Sequence, residues 1–292
     1  MDAEISIVLG SYNRLPFLKA AIRSIRENKI TVPYEIIVVD GGSDDGSMRW
    51  LSKQKDIVTI LQHNHGEFQG KKVQRRSWGY FMNLGFKAAQ GSYICMISDD
   101  TLLIPHAVMN GMRYIEQRAA EGIQVGAAAF YWRNAWPVDR QYMVSRTVGD
   151  TIFVNHGIYV RSALEAVHWL DENHYQFYCA DIDVCLRLKQ AGYDILAVPD
   201  AFVEHYYHAS ISARQQISPV KSADEANFIQ RWKDTYPEVE QGKIVREPLI
   251  KKYEDPDRTG YRLYPRFEHI RITLQRLLSR ITNRILRMIK GK

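Results

Sequence analysis

Two adjacent carboxylates follow a short apolar run in this 292-residue sequence. Asp99 and Asp100 come directly after residues 93–97 and Ser98. Carboxylate oxygens are the ligands that Mg²⁺ and Mn²⁺ prefer, and Mg²⁺ is usually held by one or two carboxylates together with substrate phosphates. The pair therefore predicts a divalent-cation site, although two such residues also suit a turn or the cap of a following helix.

Two earlier apolar runs also end in polar residues. Residues 5–9 lead through Gly10 into a polar stretch, and residues 35–39 end in Asp40 and a turn rich in Gly and Ser. Runs without polar alternation are typical of strands buried on both faces of a parallel sheet. Ligands of open α/β sheets bind beyond the carboxyl ends of the strands. We therefore expect residues 11–14, 40–47 and 98–100 to converge on one crevice.

Helical periodicity between these runs predicts the elements that must position the polar groups. Apolar residues at helical spacing follow Pro16, and Gly91 ends a second such stretch, which predicts a helix over 78–89. The pattern then predicts, in chain order, a helix from Pro105 to about Arg118, a strand over 125–132 and a helix over 183–191. Strands alternating with helices are typical of an α/β fold.

Five strings of the sequence have the order and spacing of a known set of motifs. They are ISIVLGSYNR at residues 5–14, VDGGSDDGS at 39–47, NLGFKAAQG at 83–91, YICMISDD at 93–100 and ADIDVCLRLKQAGY at 180–193. They resemble inverting GT-A glycosyltransferases of family 2. The resemblance implies a Rossmann-like GT-A fold with a mixed sheet flanked by helices, and transfer of a hexose from a nucleotide-sugar to a hydroxyl acceptor with inversion.

The resemblance also implies where the donor and a cation bind. The implied donor-binding residues are Ser11, Tyr12, Asn13, Asp40, Asn83, Asp99 and Asp100. A divalent cation, Mn²⁺ or Mg²⁺, would be held by Asp99 and Asp100 with His205, where many relatives supply a histidine. The first acid of the family's DxD motif falls at Ile97, so we expect either a lower cation affinity or a cation that arrives with the nucleotide.

The catalytic base that the resemblance implies is Asp181. A carboxylate with an unperturbed pKa of about 3.9 is ionised at neutral pH and can accept a proton as the acceptor hydroxyl attacks. Asp183 is the alternative, but two residues along a helix turn its side chain by about 200°. Asn155 and His156 lie in the stretch that resembles the acceptor-side loop, although a lone histidine also suits a structural role.

The formal net charge of +6 is unevenly distributed. Residues 266–292 contain eight basic residues and one acid, so this segment sums to +7 and the rest of the chain to −1. A near-neutral body argues against a nucleic-acid partner. Apolar residues within an arc of about 120° predict a basic amphipathic helix over 266–292. Such a helix suits an anionic membrane surface, and docking on the catalytic domain or on a second copy in a homo-oligomer is the alternative.

These patterns predict three regions. A GT-A catalytic domain covers residues 1–215, with a nucleotide-sugar half at 1–105 and an acceptor half at 106–215. Five prolines between 219 and 265 predict an irregular wrap or linker over 216–265. The C-terminal helical extension covers 266–292.

Three cysteines without zinc-site spacing predict reduced thiols in a cytoplasmic protein. The first residues have no pattern of a signal peptide, and no run approaches the length of a membrane span. We expect an enzyme of cell-surface polysaccharide or glycan synthesis, peripheral at the cytoplasmic face of the membrane, with a glycan or lipid-linked acceptor. A nucleotidyltransferase, or a non-catalytic nucleotide-binding scaffold with a degraded metal site, is the alternative.

Overall fold

The computed structural model describes residues 3–134, 141–206 and 220–253, together with Leu274 and Leu278. The strands are β1 (Ile5–Ser11), β2 (Tyr34–Asp40), β3 (Ile57–Leu61), β4 (Glu67–Phe68), β5 (Lys71–Lys72), β6 (Tyr93–Met96), β7 (Thr101–Leu103), β8 (Val125–Asn134), β9 (Tyr142–Thr147), β10 (Gly157–Val160), β11 (Asp194–His205) and β12 (Val245–Lys251). The helices are α1 (Leu15–Arg26), α2 (Ser47–Leu51), α3 (Trp78–Ala88), α4 (Ala107–Ala120), α5 (Arg161–Ala166), α6 (Ala180–Gln190) and α7 (Lys221–Trp232).

The main sheet combines a parallel part and an antiparallel part. Its strand order is β12-β9-β8-β10-β6-β1-β2-β3, with β11 pairing with both β8 and β7. The strands β6, β1, β2 and β3 are parallel neighbours, whereas β10 runs antiparallel to β6 and to β8. The prediction of an α/β fold with a mixed sheet flanked by helices is confirmed.

Apolar side chains cover both faces of the sheet, which explains why the strands lack polar alternation. Alternate residues of β1 enter two separate clusters, because successive side chains of a strand point to opposite faces. Ile7 packs in the cluster that contains Leu18 of α1 and Met112 of α4, and Val8 packs with Phe86 of α3. Each buried side chain of this size contributes about 1.5–3 kcal/mol.

The helix α1 follows the first strand and sets the position of the loop before it. Pro16 lies in its first turn, where the missing N–H costs no helical hydrogen bond. Leu18 and Ile22 are fully buried one turn apart on its inner face. At its other end Arg26 pairs with Asp56 through two hydrogen bonds of 2.9 and 2.7 Å. Both ends of this helix are therefore fixed to neighbouring loops.

The segment predicted as an irregular wrap over 216–265 is regular where the structure describes it, so that prediction was wrong for residues 220–253. Helix α7 is followed by a 3-10 turn over Pro237–Gln241 and by β12, which pairs with β9. Phe228 and Trp232 are 0% and 3% exposed in the core. The prolines misled the prediction because Pro237 starts the 3-10 turn and Pro248 lies at a register shift of a terminal strand, where proline is tolerated.

The predicted helix over 266–292 lies outside the described residues except for Leu274 and Leu278. Both are helical, and they are 53% and 61% exposed. Among the described residues, no helix combines the length and the apolar character that a membrane crossing needs.

The three cysteines of the chain are free and buried. Cys95 lies in β6 within the sheet, Cys179 directly precedes α6, and Cys185 lies on that helix. Burial raises the pKa of the Cys185 thiol to about 12. These thiols are therefore protonated at neutral pH and pack as small apolar side chains.

Candidate active site

The three polar stretches meet at the carboxyl ends of β1, β2 and β6, as expected from the sequence. Ser11 at the end of β1 is in register with Asp40 at the end of β2. The backbone N–H of Gly41 donates to the Ser11 carbonyl at 2.9 Å. From the other side, the Arg14 guanidinium reaches Asp99 at 2.8 Å. The predicted crevice is therefore lined by these three stretches.

Asp40 is fully buried and organises the loop that follows it. Its Oδ1 accepts hydrogen bonds from the backbone N–H groups of Gly42 and Ser43 at 2.9 and 2.7 Å. Its Oδ2 accepts from the Ser43 hydroxyl at 2.8 Å. Because these bonds fix the loop at the mouth of the crevice, Asp40 shapes the predicted donor site. Direct contact between Asp40 and a ribose stays a prediction.

Asn13 connects the loop after β1 to the loop after β2. Its backbone N–H donates to the Ser43 hydroxyl, and its side-chain oxygen accepts from the Asp44 N–H, both at 2.9 Å. Its φ of +52° lies in the left-handed region, which asparagine tolerates better than most residues. Two residues further, the N–H of Leu15 donates to Asp45 at 2.8 Å. The amide of Asn13 therefore holds the two loops together.

Tyr12 stacks against a residue that nothing in the sequence pattern marks. Its ring lies 4.0 Å from that of His65, with an interplanar angle of 19°. Nearby, Gly42 has a φ of +87°, and a Cβ there would lie 2.4 Å from the His63 ring nitrogen. Glycine is thus required beside this pair of histidines. Tyr12 and His65 form a stacked aromatic pair beside the loops that line the crevice.

The carboxylates of Asp99 and Asp100 share an arginine. Arg14 Nη1 lies 2.8 Å from Asp99 Oδ1 and 3.0 Å from Asp100 Oδ2. Asp99 and Asp100 are 3% and 4% exposed. Burial raises the pKa of Asp99 to about 6 against the opposing charge of Arg14, and Asp100 adds to the rise. Burial acts on Asp100 in the same direction, but Arg14 and His205 together hold the pKa of that carboxyl below its usual value.

Two histidines adjoin the acid pair. His205 Nε2 lies 3.5 Å from Asp100 Oδ1. The ring of His156 packs edge-on against that of His205 with centroids 4.8 Å apart. His156 is 4% exposed, its Nδ1 is buried without a hydrogen-bond partner, and burial lowers its pKa to about 3. His156 is therefore a neutral imidazole beside the predicted cation ligands.

These side chains fit a cation whose coordination is completed by a bound ligand rather than by protein atoms alone. Asp99 Oδ2 is buried without a hydrogen-bond partner, and Asp100 and His205 supply an oxygen and a nitrogen nearby. Across the described ranges, no three His, Cys, Asp or Glu side chains form a ready metal-binding group. Mg²⁺ commonly keeps few protein ligands and takes the others from phosphates. The residues thus fit a cation that shares its ligands with a nucleotide diphosphate.

Asp181, the predicted base, lies in the first turn of α6. Its Oδ2 accepts from the side-chain amide of Asn155 at 3.3 Å, and its Oδ1 accepts from the N–H of Ile182 at 3.0 Å. The structure therefore brings two predicted residues together that lie 26 positions apart. The Asn155 side-chain oxygen is buried without a partner. Burial raises the pKa of Asp181 to about 6, close to the range in which a general base works best.

Asp183, the alternative base, is fully buried and fully engaged. Arg187 donates to its Oδ2 at 2.7 Å, and Arg231 lies 3.0 Å from its Oδ1. The Tyr175 hydroxyl and the Trp232 indole N–H each donate to Oδ1 at 3.1 Å. This network joins α6 to α7, so Asp183 has a structural role.

Asp224 of α7 holds the loop that leads to Asp181. Its carboxylate accepts hydrogen bonds of 2.7, 2.8 and 2.8 Å from the backbone N–H groups of Gln176, Phe177 and Tyr178. Asp224 is 2% exposed. Sequence reasoning missed this residue because α7 falls in the segment predicted as an irregular wrap.

Asn83 is directed to a different loop. It is 1% exposed, and its amide nitrogen donates to the Leu170 carbonyl at 2.9 Å and to Glu172 at 2.7 Å. Its oxygen accepts from the Leu170 N–H at 3.1 Å. The structure thus gives Asn83 the role of holding residues 170–172, and contact with a donor stays a prediction.

Comparison with known sequences identifies similar proteins along most of the chain. The model of the family described as Glycosyl transferase family 2 matches residues 6–159. The uncharacterized glycosyltransferase YwdF of Bacillus subtilis is 24% identical over 266 residues, which cover 86% of this chain and 92% of that protein. The uncharacterized protein y4gI of Sinorhizobium fredii is also 24% identical, over 78% of this chain, but the match spans only 27% of its length.

Two solved structures have a similar fold. The mannosyltransferase PcManGT from Pyrobaculum calidifontis, in complex with GDP-Man and Mn²⁺, has a TM-score of 0.54 and 18% identity over 79% of this chain. S. aureus TarS 1-349 in complex with UDP has a TM-score of 0.54 and 12% identity over 77% of this chain. In both cases the match spans 65% of the neighbour's chain. The likeness agrees with the GT-A architecture implied by the sequence motifs.

Proposed function

Since this chain belongs to glycosyl transferase family 2, we propose that it transfers a sugar from a nucleotide-sugar donor to a hydroxyl acceptor with inversion at the anomeric carbon. The observation that carries this proposal is Asp181. It is a carboxylate with a pKa raised to about 6, held at the start of a helix beside the buried amide of Asn155. Among the described residues, its hydrogen-bond partners are the neutral amide of Asn155 and a backbone N–H, and no charged side chain pairs with it. Such a carboxylate suits a general base.

In this proposal the reaction is a single displacement. The Asp181 carboxylate accepts the proton of the acceptor hydroxyl while the hydroxyl oxygen forms a bond to the anomeric carbon. The bond between that carbon and the donor diphosphate breaks, and its electron pair leaves with the diphosphate. Attack opposite the leaving group inverts the anomeric configuration. Asn155 orients the carboxylate, and Asn155 and His156 adjoin the acceptor.

The donor site in this proposal lies at the ends of β1 and β2. The aromatic surface of Tyr12 against His65 suits a nucleobase, which prefers to stack on a flat ring. Ser11, Asn13 and the loop shaped by Asp40 adjoin the ribose and phosphates. The donor class is a nucleoside-diphosphate sugar.

We propose Mn²⁺ or Mg²⁺ as the cofactor, held by Asp99, Asp100 and His205 together with donor phosphates. A divalent cation in this place neutralises the negative charge that develops on the leaving diphosphate. The unpartnered Asp99 Oδ2 and the carboxylate–imidazole contact of 3.5 Å support this assignment.

A thermal-shift panel tests the donor class. The full chain is heated with UDP, GDP, dTDP and CMP, each with and without Mn²⁺. A nucleotide at 100 times its dissociation constant stabilises the folded state by about 2.7 kcal/mol. We expect one diphosphate to raise the melting temperature more when Mn²⁺ is present. If none of these nucleotides shifts the transition, the proposed function is wrong.

We further propose that the acceptor is a glycan or a lipid-linked intermediate of cell-surface polysaccharide synthesis, and that residues 266–292 hold the enzyme at the anionic cytoplasmic face of the membrane. Each basic residue near such a surface contributes about 1 kcal/mol. Co-sedimentation with vesicles of phosphatidylglycerol tests this, with neutral phosphatidylcholine vesicles as the control. A deletion of 266–292 that sediments like the full chain overturns the membrane proposal. A change in oligomeric state instead identifies docking on a second copy.

A further inference from the structure

Arg14 lies where the two predicted cation ligands meet. It comes from the loop after β1 and reaches Asp99 and Asp100, 85 and 86 residues further along the chain. A single nitrogen, Nη1, contacts one oxygen of each carboxylate at 2.8 and 3.0 Å. The two carboxylates are 5% and 6% exposed and the arginine side chain 19%, so water screens these contacts weakly. The guanidinium therefore neutralises half of a buried double negative charge.

The backbone on both sides of Arg14 is fixed in the folded protein. The N–H of Asn13 is bonded to Ser43, and the N–H of Leu15 is bonded to Asp45. The carbonyl of Arg14 accepts the N–H of Leu18 at 2.9 Å in the first turn of α1. The backbone of this arginine is thus anchored at the crevice by the same loops that line the predicted donor site.

A guanidinium and a metal ion bound to the same two carboxylates compete, because both are positive. A nucleotide diphosphate removes this conflict in two ways. Its oxygens provide further ligands for the metal ion, and they accept the planar N–H groups of an arginine in the geometry that favours phosphate. This competition predicts weak cation binding without nucleotide and cooperative binding of the two ligands.

We propose that Arg14 is a built-in cation of the donor site, which competes with the metal ion for Asp99 and Asp100 and turns to the diphosphate when the donor binds. This inference rests on the proposed function. It assigns to Arg14 the coupling between cation and donor, which makes it a donor-binding residue. By linkage, the nucleotide and the cation must strengthen each other's binding by the same factor.

Titration of the full chain with Mn²⁺, followed by the electron paramagnetic resonance signal of free Mn²⁺, tests this directly. In the unaltered protein, we expect UDP or GDP, whichever binds, to tighten Mn²⁺ binding by about tenfold or more, within the range of coupled sites. In Arg14→Gln, we expect Mn²⁺ alone to bind about tenfold more tightly than to the unaltered protein. The nucleotide should then add much less. A purely structural arginine predicts the opposite sign, since a loosened site binds Mn²⁺ more weakly.

Arg26→Gln is the control for the loss of an arginine charge, because it removes an exposed Arg–Asp pair from the other end of the same helix, away from Asp99 and Asp100. Its Mn²⁺ affinity should equal that of the unaltered protein.

Arg14→Lys keeps the charge but loses the planar fork, so its gain in affinity should be smaller and of the same sign. It replaces Arg14→Gln if the latter shows no cooperative unfolding. Equal or weaker Mn²⁺ binding in the folded Arg14 variant overturns the inference. If no nucleotide binds the unaltered protein, the proposed function fails, whereas the comparison with Mn²⁺ alone still decides the role of Arg14.

Discussion

At the scale of single residues, two acids in the first turn of α6 differ in their burial and in their hydrogen-bond partners. Asp181 accepts a long hydrogen bond from one amide and one from a backbone N–H. Asp183 is fully buried and engages two arginines, a tyrosine and a tryptophan. A base needs a free lone pair and a partly destabilised charge, and only Asp181 has both. The helical turn of about 200° between them separates the two environments.

Replacing each acid by its amide should separate catalysis from stability. We expect Asp181→Asn to lower the transfer rate by about 10³-fold, within the range usual for a lost general base, and to leave nucleotide affinity unchanged. We expect Asp183→Asn to lower the free energy of unfolding by about 3 kcal/mol, because the two arginines that pair with this buried carboxylate lose their counter-charge. Steady-state kinetics and urea unfolding measure the two effects. Full activity in folded Asp181→Asn would exclude it as the base.

The raised pKa of Asp181 predicts two opposite pH effects. Transfer requires the ionised carboxylate, so kcat/KM should rise with pH through about 6. Stability should change in the other direction. The folded state holds the proton more tightly than the unfolded state. The free energy of unfolding therefore falls as the pH rises from about 4 to about 6.

Asp181→Asn removes the titrating carboxylate. Comparing the variant with the unaltered protein therefore separates the pH effect of Asp181 on stability from the effects of all other titrating groups. We expect the variant to be about 1–3 kcal/mol more stable than the unaltered protein at pH 8 and equally stable at pH 4. Urea unfolding of both proteins at the two pH values measures the difference. An unchanged difference between pH 4 and pH 8 would contradict the raised pKa.

At the scale of elements, α7 connects the chain after residue 219 to the loop that precedes Asp181. Asp224 binds three successive N–H groups of residues 176–178, and Trp232 and Arg231 bind Asp183. The helix thus contacts the chain on both sides of Asp181. Its role is to fix the loop and the first turn of α6 relative to each other.

Asp224→Asn should therefore reduce both stability and turnover. The amide cannot accept all three N–H groups, so we expect a loss of about 2–3 kcal/mol, as for hydrogen bonds to a charged group. We also expect kcat to fall while nucleotide affinity is retained, because Asp181 loses its fixed position. Glu225→Gln is the control, since its exposed pair with Lys221 at 3.6 Å contributes little. Equal behaviour of the two variants would exclude the positioning role.

The sequence predicted the elements that follow from apolar periodicity and the acids at their ends. The parallel strands and the meeting of three polar stretches at their carboxyl ends agree with those predictions. Three contacts could not be predicted. His65 stacks on Tyr12 because of how a surface loop folds back, and Arg14 bridges two acids over 85 residues. The third is Asp224, which lies in the segment whose five prolines predicted an irregular wrap. Each depends on long-range packing rather than on local pattern.

At the scale of the whole molecule, the described part after residue 219 completes the core and the sheet. Phe228 and Val239 are fully buried, and Trp232 is 3% exposed. β12 extends the sheet beside β9. Removing a buried aromatic side chain costs about 3–5 kcal/mol, and the whole free energy of unfolding of a domain is only about 5–15 kcal/mol.

Truncation at residues 219 and 253 should therefore have different effects on folding. A chain ending at residue 219 should show no cooperative thermal unfolding, because it lacks these core residues. A chain ending at residue 253 keeps every strand and helix described between residues 3 and 253, and we expect it to unfold cooperatively. Circular dichroism melting curves of both chains provide the measurement. A cooperative transition in the shorter chain would show that residues 220–253 are an appendage.

The three buried cysteines make local opening of this protein measurable by alkylation. A thiol reacts only as an exposed thiolate, so each cysteine reacts at the rate at which its surroundings open. Cys95 lies in the central sheet, whereas Cys179 and Cys185 lie at the start of α6 and within it. Reaction of the α6 thiols before Cys95 would identify α6 as a separately opening unit. Equal rates would mean that the active site opens only when the entire fold does.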